Sequence, residues 1–289
     1  MKRFSLIGVV ALAAAAALGS CRRQVPLSDA PHPRIVSFCP ALTTMLFDMN
    51  LGDHIVGVTT QDTLPPGTAR PIVGDTFSVN AEAVVSLQSD VLVTNINVKH
   101  FAAVNRLDPN IRIEHIRLET LDDVAAAMER LAAIAGDPRR GTEAGTAFRA
   151  ALEQVRASVR DKPHPKVLFI TTFESLGVAG RGTFVDDMID VAGGVNVAER
   201  YSGWANITAE GILAAAPEVL ICQVAPGAEA GRAERFFASL KGLPAVETGR
   251  VHLMTDLRWT IPTAALAGFT AELAKMIHSE PSNGGDSGA

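Results

Sequence analysis

The sequence predicts a duplicated α/β protein: two similar βα lobes with parallel sheets, joined by a single long rigid helix. Three observations carry this. The block AEAVVSLQSDVLV at 81–93 returns as AEGILAAAPEVLI at 209–221, without a gap and 128 positions later (209 − 81 = 128). Short apolar β-branched runs alternate with helical patterns in both halves, as βα units require. Between the halves, residues 121–160 are dominated by Ala, Glu and Arg, a helix-favouring composition. The repeat is too long, and present too few times, for a solenoid.

The elements follow in order. Arg34 to Phe38 (RIVSF) reads as the first strand, stopped by Pro40. A helix over 41–49 and a strand over 55–58 come next, then a loop broken by Pro65 and Pro66. Asn80 caps a helix that leads into a strand at 91–94; a further helix and a strand near 111–116 close the half. Gly136-Asp137-Pro138 interrupts the helical stretch. Beyond it, Phe148, Leu152, Val155 and Val159 recur at spacings of three and four, a single apolar stripe. The second half restarts with a strand at 166–171, a helix at 184–191 stopped by Gly193-Gly194, and a Thr208-capped helix. A strand at 219–221, a helical segment at 236–240, a strand at 251–254 and a final helix over 262–278 complete it. The domain plan is therefore an N-terminal lobe at 34–140, a connecting helix at 141–162 and a C-terminal lobe at 163–278. A disordered tail is expected over 279–289.

The ends of the chain carry different information. Lys2 and Arg3 precede a short apolar run from Leu6 to Leu18, the pattern of a signal peptide over 1–20. The run closes on Leu18-Gly19-Ser20-Cys21, which resembles a lipoprotein lipobox and implies lipidation of Cys21. Residues 21–33, polar and proline-rich, read as a tether. An extracytoplasmic, lipid-anchored protein is expected. Cys39 and Cys222 sit in different halves at strand ends and read as two buried thiols, with a disulfide as the alternative. A formal net charge of −5 argues against a nucleic-acid partner.

The segments 34–59, 73–93 and 180–221, in this order and spacing, resemble the class III substrate-binding proteins of bacterial ABC importers. That group receives vitamin B12, haem and iron-siderophores. The resemblance implies a ligand cleft between the lobes, no enzymatic activity, and a monomer that delivers its ligand to an ABC permease dimer with its ATPase. It also implies a docking glutamate on each lobe, at Glu82 and Glu210, meeting arginine pockets on the permease. Carboxylates accept bidentate arginine hydrogen bonds. Each glutamate also sits in a first helical turn, where the helix dipole alone favours an acid.

In open α/β sheets ligands lie beyond the carboxyl ends of the strands. The loops there offer Ser37, Cys39, Gln61, Asp62, Thr76, Phe77, Asn95 and Asn97 in the first half. The second half offers Phe173, Glu174, Arg181, Trp204, Gln223, Asp256, Arg258 and Trp259. Trp204 and Trp259, the only tryptophans, could stack on a flat macrocycle, or else plug the core. Gln61 and Thr76 stand where cobalamin-binding members often carry aromatic residues. Tyr201 is the only tyrosine, and His54, His100 and His252 show no ligand spacing, so no protein metal site is expected. The expected cargo is a metal chelate, a corrinoid such as cobalamin or a ferric siderophore, with no resident cofactor. The alternatives are a free-metal (zinc or manganese) or haem receptor, or a sensory lipoprotein on the same fold. GxSxG, HExxH and Walker sequences are absent, and Gly180-Arg181-Gly182 is only a fragment of a glycine-rich loop.

Overall fold

A computed structural model describes residues 33–280. The signal peptide, Cys21, nearly all of the tether and most of the tail lie outside the described residues.

The N-terminal lobe runs β1 (Ile35–Ser37), α1 (Pro40–Asp48), β2 (Ile55–Gly57), α2 (Ala81–Ser86), β3 (Val91–Thr94), α3 (Ala102–Leu107) and β4 (Arg112–His115). Its sheet is wholly parallel, in the order β2-β1-β3-β4. Two helices follow, α4 (Leu121–Ile134) and α5 (Pro138–Val159). The C-terminal lobe then runs β5 (Lys166–Thr172), β6 (Gly177–Ala179), α6 (Phe184–Val191), β7 (Val195–Asn196), β8 (Trp204–Asn206) and α7 (Ala209–Ala215). It ends with β9 (Val219–Gln223), α8 (Ala228–Ser239), α9 (Pro244–Glu247), β10 (Val251–Met254) and α10 (Leu266–Ile277).

The duplication extends to topology. The parallel strands β7-β5-β9-β10 repeat the order β2-β1-β3-β4. In each lobe the strand after the repeated helix pairs with the lobe's first strand: Val91 sits opposite Ile35, and Val219 opposite Val167. The second sheet is mixed rather than purely parallel. Strand β6 turns back against the outer half of β5, and β8 adds to β6, both antiparallel. This departs from the parallel sheet expected in that lobe. Strands of two or three residues are too short to show a period in sequence.

Helix α5 starts at Pro138 rather than near residue 142, because Pro138 occupies the first turn and Asp137 accepts from the Arg140 amide (3.4 Å). Its glycines let α4 come close. A Cβ on Gly141 would lie 2.7 Å from both the Glu129 Cα and the Ala132 Cβ. At its start, the Arg140 guanidinium donates to the Met49 and Asn50 carbonyls of the first lobe (2.8 and 3.0 Å). Further along, α5 packs on α6 and α10 of the second. One apolar cluster runs through this junction, from Ile35, Val91 and Val93 through Leu131, Phe148 and Leu152 to Val167, Phe169 and Ile221. Separate clusters back the outer face of each sheet. A connection packed this continuously to both lobes is rigid, since interiors resist small displacements.

Asp187 on α6 adds a polar tie, accepting from the Leu121 amide at the start of α4 (2.8 Å). Burial pushes its carboxyl above the ordinary value of 3.8; the Leu121 amide opposes this, while Asp186, Asp122 and Asp190 add to the rise. With the folded value above the unfolded one, the folded state holds the proton more tightly. Its stabilising contribution is therefore complete below the unfolded value and lost as pH rises through the folded one. Asp187→Asn keeps an acceptor for Leu121 and removes the charge. It is expected to raise stability at pH 7 slightly. It should also flatten the stability profile above pH 4; an unchanged profile in urea titrations would contradict this account.

Both described cysteines are free and buried, on opposite sides of the architecture. Cys39 lies in the shared cluster and Cys222 in the outer cluster of the second lobe. Burial raises their thiols to about 11 and about 12. Both stay protonated at neutral pH and act as packing residues.

Candidate ligand cleft and docking faces

Strand alternation decides which side chains can reach the space between the lobes. Along β9, Val219 and Ile221 enter the shared cluster while Leu220, Cys222 and Val224 enter the outer one. Gln223 therefore turns to the shared side, at the carboxyl end. Along β3, Val91 and Val93 turn inward and Leu92 outward, and Asn95 follows one residue past the strand, exposed. Ser37 follows Ile35 on β1, and Thr171 follows Phe169 on β5. A polar fringe thus crowns the shared apolar cluster at the carboxyl ends of both sheets, where a ligand is expected.

Members of this fringe differ in how well they are satisfied. Ser37 is fully buried and accepts from the Thr43 hydroxyl (2.8 Å). It is part of the wall's scaffold rather than an open contact. Asp62 uses one oxygen, Oδ2, to accept from the amide and hydroxyl of Thr59 (2.8 and 2.6 Å). Its other oxygen is buried without a protein partner, as is the Oε1 of Gln223. Gln61, Thr76 and Asn97 are exposed. Asn97 caps the 3-10 turn Val98–Phe101 by accepting from the Lys99 amide (3.0 Å).

The aromatic candidates separate sharply. Phe77 is 86% exposed, at the tip of a tight turn built by Asp75, whose Oδ1 accepts from the Phe77 and Ser78 amides (2.8 and 2.9 Å). Trp204 is 47% exposed, with its ring edge-on to Phe184 (5.3 Å between centroids). It opens the edge strand β8 instead of lying in a loop. Thr76 and Trp204 occupy the same position in the duplicated halves, six residues before Glu82 and Glu210 respectively (82 − 76 = 210 − 204 = 6). Trp259 is a core residue, only 1% exposed, stacked on Phe269 (4.9 Å) and close to Phe169 (6.4 Å). A platform role for Trp259 is thereby corrected: neither face is open. Phe173 is likewise turned away, packed edge-on against Phe236 and Phe237 on the outer side of the sheet.

The arginines are internally neutralised. Arg258 forks onto Asp256 with contacts of 2.7 to 3.1 Å. Its guanidinium in turn holds the Asp256 carboxyl below the ordinary carboxylate value. Arg181 pairs with Glu199 (3.2 Å), and Glu174 is taken by Arg232.

The docking candidates Glu82 and Glu210 are both exposed, each the second residue of its helix. The caps match as well. Asn80 accepts from the Ala83 amide (3.0 Å) and Thr208 from the Gly211 amide (3.1 Å). Glu210 is held below its ordinary value by its own backbone amide and then by the Thr208 hydroxyl, so it is ionised at neutral pH. Among the described residues no cluster of three or more His, Cys, Asp or Glu could hold a metal ion. The Tyr201 hydroxyl is engaged by Arg200, whose guanidinium also covers the ring at 4.9 Å.

The model of a periplasmic binding protein family matches residues 35–256. The chain is 26% identical over 197 residues to the uncharacterized ABC transporter substrate-binding lipoprotein YvrC of Bacillus subtilis (strain 168), covering 65% of this chain and 62% of that one. It is 23% identical over 195 residues to the vitamin B12-binding protein of Vibrio cholerae, covering 66% of this chain and 70% of the relative. Among solved structures, the periplasmic haem-binding protein HutB of Vibrio cholerae aligns with a TM-score of 0.73 at 17% identity. That alignment takes in 85% of this chain and 99% of HutB, and at this identity it establishes the fold alone.

Proposed function

The chain belongs to the periplasmic binding protein family, and from that premise we propose that it captures a metal chelate between its lobes and delivers it to an ABC permease. The family is one of solute-binding proteins, not enzymes. The cargo in this reading is a corrinoid or a ferric siderophore. Delivery is by docking through Glu82 and Glu210, and the protein is held to a membrane by lipid on Cys21.

One observation carries the proposal. The polar fringe at the carboxyl ends of both sheets sits over a single shared apolar cluster, and Trp204 on the edge strand β8 has half its surface open. An apolar floor with a few placed polar groups is what a small-molecule site requires. Free zinc or manganese needs three or four converging ligands, and the described residues bring together no three His, Cys, Asp or Glu side chains.

A thermal-shift screen of the purified protein against corrinoids, ferric siderophores, haem and zinc tests this. A chelate present at 100 times its Kd is expected to stabilise the fold by about 2.7 kcal/mol. Stabilisation by zinc alone would replace the chelate reading with a free-metal one.

A further inference from the structure

Two buried acceptor oxygens in the fringe have no protein donor: Oδ1 of Asp62 and Oε1 of Gln223. They belong to different lobes. Asp62 follows β2 and lies close enough to Cys39, at the start of α1, for its charge to bear on that thiol. Gln223 closes β9, is 95% buried (100 − 5), and points to the shared side by strand alternation. A buried acceptor left unmade costs the free energy of its lost hydration. Such a group is made good by a ligand that brings a donor.

The arginines of the second lobe point the same way. Arg258 is already forked by Asp256 and Arg181 is paired with Glu199. Each pairing already offsets part of the charge that these arginines would offer a ligand carboxylate. Such a ligand group would also meet the Asp62 carboxylate, which only accepts.

Resting on the chelate reading above, we infer that Asp62 and Gln223 set specificity by accepting hydrogen bonds from amide N–H groups on the rim of the cargo. The cleft thereby excludes chelates whose rims carry carboxylates. A site built to meet a donor rejects the analogue that lacks it, because its own polar groups are then left unpaired.

The test is a matched pair of probes on one ring: dicyanocobinamide, with amides at the rim, and dicyanocobyrinic acid, with carboxylates there. Titration of the purified protein is expected to show the amide form bound at least ~100-fold more tightly. Gln223→Leu should weaken the amide form about tenfold. Asp62→Asn, which removes charge but keeps an acceptor, should narrow the preference about tenfold. Equal affinities, or a preference for the carboxylate form, overturn the inference while leaving the chelate reading intact. Failure of both probes to bind overturns the inference together with its corrinoid premise, and a chelate found in the thermal screen would then show which part failed.

Discussion

Reversing both charges, Glu82→Lys with Glu210→Lys, is expected to abolish uptake while leaving ligand affinity unchanged. Both side chains are exposed at the second position of equivalent capped helices. They stand far from the buried contacts of the fold, so neither substitution removes packing. Each lysine does face the positive end of a helix dipole, a local cost of about 0.3–1 kcal/mol. Stability should therefore fall only slightly.

The effect on docking is larger. One exposed ion pair is worth at most about 1 kcal/mol, but a lysine set against a permease arginine adds like-charge repulsion of several kcal/mol at each site. Two such sites together should lower transport by more than ~100-fold. Single reversals should each cause partial loss. Uptake assays in cells carrying the matching permease, beside ligand titrations of the same variants, check this. Normal transport by the double variant would reduce the two glutamates to helix-start acids.

The second large effect is on stability. Trp259→Ala is expected to cost ~3–5 kcal/mol, the range for removing a large buried aromatic. The ring is 1% exposed and lies between Phe269 and Phe169, in the cluster that both lobes share. The cavity would open at the junction of β5 with α10. The urea midpoint should fall sharply, whereas Trp259→Phe should retain part of the loss. A residue that served mainly as a ligand platform would behave in the opposite way, weakening binding while leaving the midpoint in place.

Much of the architecture is written locally in the chain. Asn80 and Thr208 announce their helices by side-chain chemistry, and both accept the amide three residues on. The apolar runs at Val91 and Val219 announce buried parallel strands. The cap at Asp137 with Pro138 was equally legible as a helix start, and it places α5 earlier than its apolar stripe suggests.

What sequence could not fix depends on distant partners. Trp259 stands among turn residues, and Phe269 together with Phe169, ninety positions away in sequence (259 − 169 = 90), makes it a core residue. Phe173 follows its strand as a cleft residue would, yet the hydrophobic pair on α8 draws it to the other face. The short strands β6 to β8 have too few residues for any pattern. Gln223 did leave a signal, a lone amide ending an apolar run at a carboxyl edge. Its missing donor, and that of Asp62, appear only when the neighbours are in place.

The most direct measurement is an equilibrium titration of the purified protein with a corrinoid, a ferric siderophore, haem and zinc, followed by tryptophan fluorescence. Trp204 is the open tryptophan and Trp259 the closed one, so a chelate seated between the lobes should quench Trp204 first. The expected result is saturable one-to-one binding of a corrinoid or ferric siderophore, with the quench lost in Trp204→Phe and unchanged in the Glu82 and Glu210 double variant. Saturable binding of zinc alone, or no saturable binding of any chelate, would contradict the central claim.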